Sequence, residues 1–189
     1  DVDKNLKVTS GGTLTQQTGT RLTVAGSTNI DAGANDVTLD TTTNDFAGPV
    51  SVIGGAITVV DFNDLDATAI APTVGKNLTL EALNGQLKVA GGAINLGAGA
   101  LKLTSATGLD TTGAPLTAAA VTLNAGAGTL TLGDNVTTTT GALSLTGAAV
   151  NQTAGKIVAP TGATVTATGA VTLTGAANDF TGAVALTGT

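Results

Sequence analysis

Apolar triplets with one small or polar residue between their outer members recur along the whole chain. Leu6-Lys7-Val8, Leu22-Thr23-Val24, Val37-Thr38-Leu39, Ile57-Thr58-Val59, Leu78-Thr79-Leu80, Leu101-Lys102-Leu103, Val121-Thr122-Leu123, Leu143-Ser144-Leu145 and Val171-Thr172-Leu173 are among them. Alternation of period two puts the outer residues of a triplet on one side of an extended strand and the middle residue on the other. Val, Leu and Ile inside with Thr, Ser or Lys outside describe short half-buried strands, and Gly, Asn, Asp and Pro fill the gaps between them. No amphipathic helix of useful length is visible.

Neighbouring triplets lie about seven or eight residues apart, so every third one aligns. The first column runs Leu6, Ile30, Val50, Leu78, Leu101, Val121, Leu143, Val165, Val184. The second runs Leu14, Val37, Ile57, Leu87, Leu109, Leu130, Val150, Val171, and the third Leu22, Phe46, Ile70, Ile94, Leu116, Val136, Ile157, Phe180. Three strands per turn of roughly 20–24 residues is the arithmetic of a three-sided parallel β-solenoid of about eight coils. At about 4.8 Å per coil it would be roughly 38 Å long. Parallel crossovers are right-handed by general preference, so a right-handed solenoid is expected. One step, Val50 to Leu78, is 28 residues long and predicts a loop insertion at 61–73. The whole chain, 1–189, reads as one domain.

Two near-copies support a repeat. Residues 44–52 (NDFAGPVSV) match 178–186 (NDFTGAVAL) at a separation read as six turns. A second element recurs as GALKLTSA at 99–106, GALSLTGA at 141–148 and GAVALTGT at 182–189. These elements resemble the coils of filamentous-haemagglutinin-like exoproteins and the β-helical passengers of autotransporter adhesins. The resemblance covers essentially the whole chain. It implies a stalk outside a Gram-negative cell, although the secretion domain that usually opens such proteins has no match here.

Composition removes many functions. The 189 residues include no Cys, His, Met, Trp or Tyr and three Phe, while Thr, Ala and Gly make up about half of the chain. Thiol chemistry, disulfides, His- or Cys-based metal sites and His-based triads are therefore excluded. A net charge of -6 with few bases and almost no aromatics argues against a nucleic-acid partner. No apolar run approaches the roughly 18–20 residues of a membrane helix, so no direct membrane span is expected. The chain opens without an initiator Met or signal-peptide pattern and stops within a repeat, as expected of a processed chain or a segment of a longer repetitive protein.

The densest acidic group, Asp61, Asn63, Asp64 and Asp66, offers oxygen ligands of the kind Ca²⁺ takes. Leu65 occupies a position where a calcium loop needs an oxygen donor, so the group reads as a solvated loop and no metal or other cofactor is expected. A polysaccharide-cleaving site would need converging carboxylates with basic and aromatic neighbours. The single Glu81, the single Arg21 and scattered acids do not supply them. Gly97-Ala98-Gly99 and Gly126-Ala127-Gly128 lack the following Lys of a phosphate loop and read as corners. A flat Thr array can bind ice, but the middle positions of the first column, Lys7, Asp31, Ser51, Thr79, Lys102, Thr122, Ser144, Thr166 and Ala185, are mixed.

The expected role is structural. The working residues are inward ladders, among them Leu78, Leu101, Val121, Leu143, Val184, Phe46 and Phe180. The expected function is a non-catalytic extracellular stalk or fibre of a bacterial surface protein, with neighbouring coils as its partners. Neither end shows a cap, so end-to-end stacking of identical subunits into a filament is an alternative. Binding of a cell-surface glycan or protein by one face or by 61–73, or binding of ice, is a further one.

Overall fold

A computed structural model describes residues 1–188. Among them every regular element is a β-strand. No helix there is long and apolar enough to cross a membrane. All strand pairs are parallel, in two nine-stranded sheets, one four-stranded sheet and one two-stranded sheet. Coil upon coil, they build a β-solenoid of about nine turns.

The first face is the most regular. Its inward ladder runs Leu14, Val37, Ile57, Leu78, Leu101, Val121, Leu143, Ala163, Val184. Eight steps carry it from Leu14 to Val184, roughly 21 residues per turn, at the short end of the range for solenoid repeats. The second face carries Val24 and Phe46, then Leu65, Leu87, Leu109, Leu130, Val150 and Val171. The third carries Val8, Ile30, Val52 and Ile70, then Ile94, Leu116, Val136 and Ile157, and closes with a bridge from Val158 to Asp179.

This register corrects the columns read from the sequence. The first column joins third-face residues up to Val50 to first-face residues from Leu78 onward, whereas the true ladder partner of Leu78 is Ile57. The slip arises at 61–73, which is not a loop insertion. Residues Leu65–Pro72 form one eight-residue strand. Its first half pairs with Gln86–Val89 on the second face, and most of its remainder pairs with Val50–Gly54 on the third. A register shift beside Ala67 bends the strand between the two faces. Two sides of a coil are thus packed into one strand without a turn signal. The long step from Val50 to Leu78 hides an extra side, and the coil count rises from about eight to about nine.

The near-copies are correspondingly turned against each other. Phe46 lies on the second face, whereas Asp179, with Phe180 next to it, forms the last rung of the third. They are therefore six and a third turns apart, not six.

The core is a continuous apolar file from Val24 to Ala167. Leu78, Leu101, Val121 and Leu143 are buried in it, and so is Phe46. Phe180 packs against it only partly, and Val184 is 49 % exposed on the last rung. A ladder residue needs a coil on each side to lose its water, and Val184 has only Ala163 below it.

Corners follow a rule that links consecutive coils. An Asn or Asp stands directly before a strand, and its Oδ1 accepts the backbone N–H of a residue one turn later. Asn5 takes Ser27 N–H (2.9 Å), Asp36 takes Ala56 (2.8 Å), Asp64 takes Gln86 (2.7 Å), Asn77 takes Ala100 (2.9 Å) and Asn135 takes Lys156 (2.9 Å). Each accepted residue follows a glycine: Gly26, Gly55, Gly85, Gly99 and Gly155. A Cβ at Gly26, Gly55 or Gly85 would collide with the accepting carboxyl or amide oxygen itself. Gly85→Ala is therefore expected to cost about 1–3 kcal/mol in urea denaturation, through overpacking against Asp64. Gly11→Ala, with open space at that position, should be close to neutral.

Candidate functional site

The acidic group at 61–66 is divided among three tasks by the strand alternation that places it. Asp61 ends the strand Ile57–Asp61 pointing inward and is fully buried. Its Oδ1 accepts N–H groups from Phe46 and Asn63, both at 3.3 Å. Its Oδ2 is buried without a hydrogen-bond partner. Asp64 spends one oxygen on Gln86 N–H, as described above. Asp66 lies within the strand, as the ladder neighbour of Lys88. Asn63 lines a cleft of about 230 Å³ with Arg21, Thr43, Asp45 and the exposed Phe62. The four residues do not converge on one point. Among the described residues no group of three His, Cys, Asp or Glu side chains could hold a metal ion.

Burial pushes the Asp61 carboxyl from its ordinary value of 3.8 up to about 6, and neighbouring Asp45 adds to the rise against the opposing backbone donors. The folded state therefore favours the protonated acid. The associated stability is complete below pH 3.8 and is lost as pH rises through about 6. A rise of this size corresponds to about 3 kcal/mol. Relative to Asp61→Asn, the wild-type chain should thus gain most of that unfolding free energy between pH 7 and pH 4 in urea titrations. A parallel pH response of the two proteins would show that Asp61 ionises normally.

Two amide pairs lock the near-copied corners. Asn44 is fully buried and exchanges two side-chain hydrogen bonds with Gln16 (2.7 and 2.8 Å), while its Oδ1 also accepts Leu22 N–H at 3.0 Å. Asn178 exchanges two with Gln152 (3.0 and 2.7 Å) and accepts Ile157 N–H at 2.8 Å. The Asn that opens each near-copy is thus a staple to the coil beneath it. The sequence pattern locates the motif but not this role. The signal for it is a Gln 28 residues before Asn44 and another 26 residues before Asn178.

The correct register also changes the outward ladder of the first face. It reads Thr15, Thr38, Thr58, Thr79, Lys102, Thr122, Ser144, Thr164, Ala185. Hydroxyls dominate it more than the sequence columns imply, and Lys102 interrupts it at mid-length. Glu81 lies on this face and Arg21 beside the second, where Arg21 makes a loose pair with Asp1 at 3.9 Å. They are far apart in the coil order, and Arg21 shares its cleft with Asp45, not with Glu81.

The second face carries a different outward ladder: Asp66, Lys88, Asp110, Thr131, Asn151, Thr172. A groove of about 470 Å³ opens along its middle rungs. Gln86, Lys88, Thr107, Asp110, Thr129 and Thr131 provide its polar side chains.

Comparison with known proteins returns one family. The family described as "Repeats of unknown function (DUF5649)" matches residues 1–53 and 118–187, about two thirds of the chain. Each matched stretch contains one near-copy and its Gln–Asn pair. No curated protein and no solved structure matches.

Proposed function

We propose that this chain, which belongs to the DUF5649 family of repeats, is a non-catalytic rigid stalk or fibre segment of an extracellular bacterial surface protein, like the filamentous-haemagglutinin-like exoproteins its coils resemble. The observation that carries the reading is the single apolar file running through the coils, with the nine strands of the first face paired to one another in unbroken parallel register. Each coil depends on its neighbours for burial, so bending or stretching the rod must open ladders rather than a flexible joint. Asp36 and Asp64 serve corners, Asp66, Lys88, Lys102 and Asp110 stand on outward ladders, and Asp61 is buried with backbone N–H groups as its partners, uses that support a structural role over a catalytic one.

Single-molecule pulling on the purified chain tests the mechanical part. A stalk should resist and then lose its coils one at a time in discrete steps, and smooth low-force extension would refute it. Brief protease treatment of intact source cells tests the location, because surface exposure requires that peptides of this chain be released.

The two edges of the rod bear on whether its coils continue covalently or by stacking of copies. Val184 and Leu186 are 49 % and 63 % exposed on the last rung. At the other end Leu6, Val8, Leu14 and Leu22 line an apolar opening of about 350 Å³. Such edges take a further parallel coil, from the same chain or a neighbouring copy. Sedimentation that grows with concentration selects neighbouring copies, and a constant monomer selects covalent coils.

A further inference from the structure

The groove on the second face lies at mid-rod, away from both end coils, and two glycines, Gly108 and Gly128, line it. Gly108 is the ladder neighbour of Gln86, and its hypothetical side chain would lie beside Thr129. Its φ of +153° disfavours any side chain at that position. The outward row is therefore interrupted between two rungs that do carry polar side chains. Leu87 and Leu109 turn inward as part of the core, so backbone forms the floor.

The walls carry both hydrogen-bonding roles and both signs of charge. Asp110 is held in place because its Oδ1 accepts Thr112 N–H at 2.9 Å, leaving the other oxygen as an acceptor. Lys88 stands between Asp66 and Asp110 in the ladder yet makes no ion pair within 4 Å among the described residues. Its ammonium is open to a ligand. Gln86 adds an amide, and Thr107, Thr129 and Thr131 add hydroxyls that donate or accept. One fixed acid balances one base, so the groove selects neither an anion nor a cation. The lining is too polar for a lipid and has no aromatic ring on which a base would stack.

From this groove we infer a binding site for a neutral oligosaccharide. Sugar hydroxyls donate to Asp110 and accept from Lys88 and Gln86, with the Thr hydroxyls completing whichever pattern the ring presents. The inference goes beyond the stalk reading and stands without it, since a rod of any purpose could carry the site.

Amide NMR shifts of the ¹⁵N-labelled chain titrated with cellobiose and with lactose test it. Saturable shifts confined to Gln86, Lys88, Gly108, Asp110 and Thr129 are expected with at least one of the two. Cellobiose alone would point to a plant or microbial polysaccharide, lactose alone to an animal-type glycan, and both to a site that reads a common hexose pattern. Gln86→Ala and Asp110→Asn should each weaken binding at least tenfold, while Asp66→Asn, on the far side of Lys88, should leave it unchanged. No shifts with either sugar at millimolar concentration, or shifts that ignore these variants, would overturn the site. Rod shape and pulling behaviour are independent of that outcome, so failure here does not touch the stalk.

Discussion

Phe46→Ala will lower the unfolding free energy by about 3–5 kcal/mol, whereas Phe180→Ala will cost a fraction of that. The two residues occupy the same position in near-identical nine-residue stretches, so the sequence alone gives them equal weight. Their surroundings differ. Phe46 is 1 % exposed and packs in the continuous core, one corner of a coil with further coils on both sides. Phe180 belongs to the last coil and only leans on the core. Deleting a buried ring removes its transfer free energy and leaves a cavity that the hydrogen-bonded ladders around it cannot collapse into. Deleting a ring already in contact with water leaves no such cavity. Urea denaturation of both variants gives the comparison directly, and equal losses would contradict the placement of Phe180 at the edge of the core.

The architecture was legible because period-two alternation and a short coil repeat are both written in residue types that survive small irregularities. Thr, Val and Leu at Leu78-Thr79-Leu80 or Val121-Thr122-Leu123 announce a half-buried strand wherever they stand. The register failed at one place. In Leu65–Pro72 the buried positions are Leu65, Ala67 and Ile70, so the two large residues stand five apart and break the alternation, and two faces share one strand without a Gly or Asn between them. A triplet search needs two large apolar residues two places apart and a punctuating turn, and this strand offers neither. Because each coil repeats the last, the missed side shifted every later column by one face. The Thr ladder of the first face was hidden for the same reason.

The site residues were legible only as chemistry. Asp61 and Asp64 stand close together in a polar stretch, yet one faces the core and the other caps a coil corner. That difference depends on where the strand Ile57–Asp61 ends. The pairing of a pre-strand Asn or Asp with a Gly one turn later was present in the sequence throughout, at Asn5 and Gly26, Asp36 and Gly55, and Asn77 and Gly99. It becomes recognisable once the turn length is known to vary, because the accepted N–H lies anywhere from 20 to 23 residues further on. The groove at Gly108 left no comparable trace, since a glycine before an apolar residue is common in this chain and only its ladder neighbours make it a gap.

Leu101→Ala should destabilise the chain by about 2–5 kcal/mol, and Val184→Ala on the same ladder by about 0.5 kcal/mol or less. Leu101 is 2 % exposed between Leu78 below and Val121 above. Its side chain stacks between two rungs that backbone hydrogen bonds hold about 4.8 Å away on either side, so truncation leaves a void in a stack with little freedom to close. A solenoid transmits that loss to the adjoining coils, because each coil is stabilised mainly by the interfaces above and below it. Broadening of the unfolding transition, read as a lower denaturant dependence in Leu101→Ala, should accompany the loss of midpoint as cooperativity between the two halves weakens. Val184 has one ladder partner, the small Ala163, and half its surface is already in water, so removing two methyl groups forfeits little burial. Extending the chain by one further coil over Val184 reverses its position: the same substitution should then cost about 1–3 kcal/mol, the value of a buried valine. A neutral Leu101→Ala would mean that the rungs are not stacked as the ladder places them, and a Val184→Ala penalty that stays flat after extension would mean that burial between coils is not what holds the rod together.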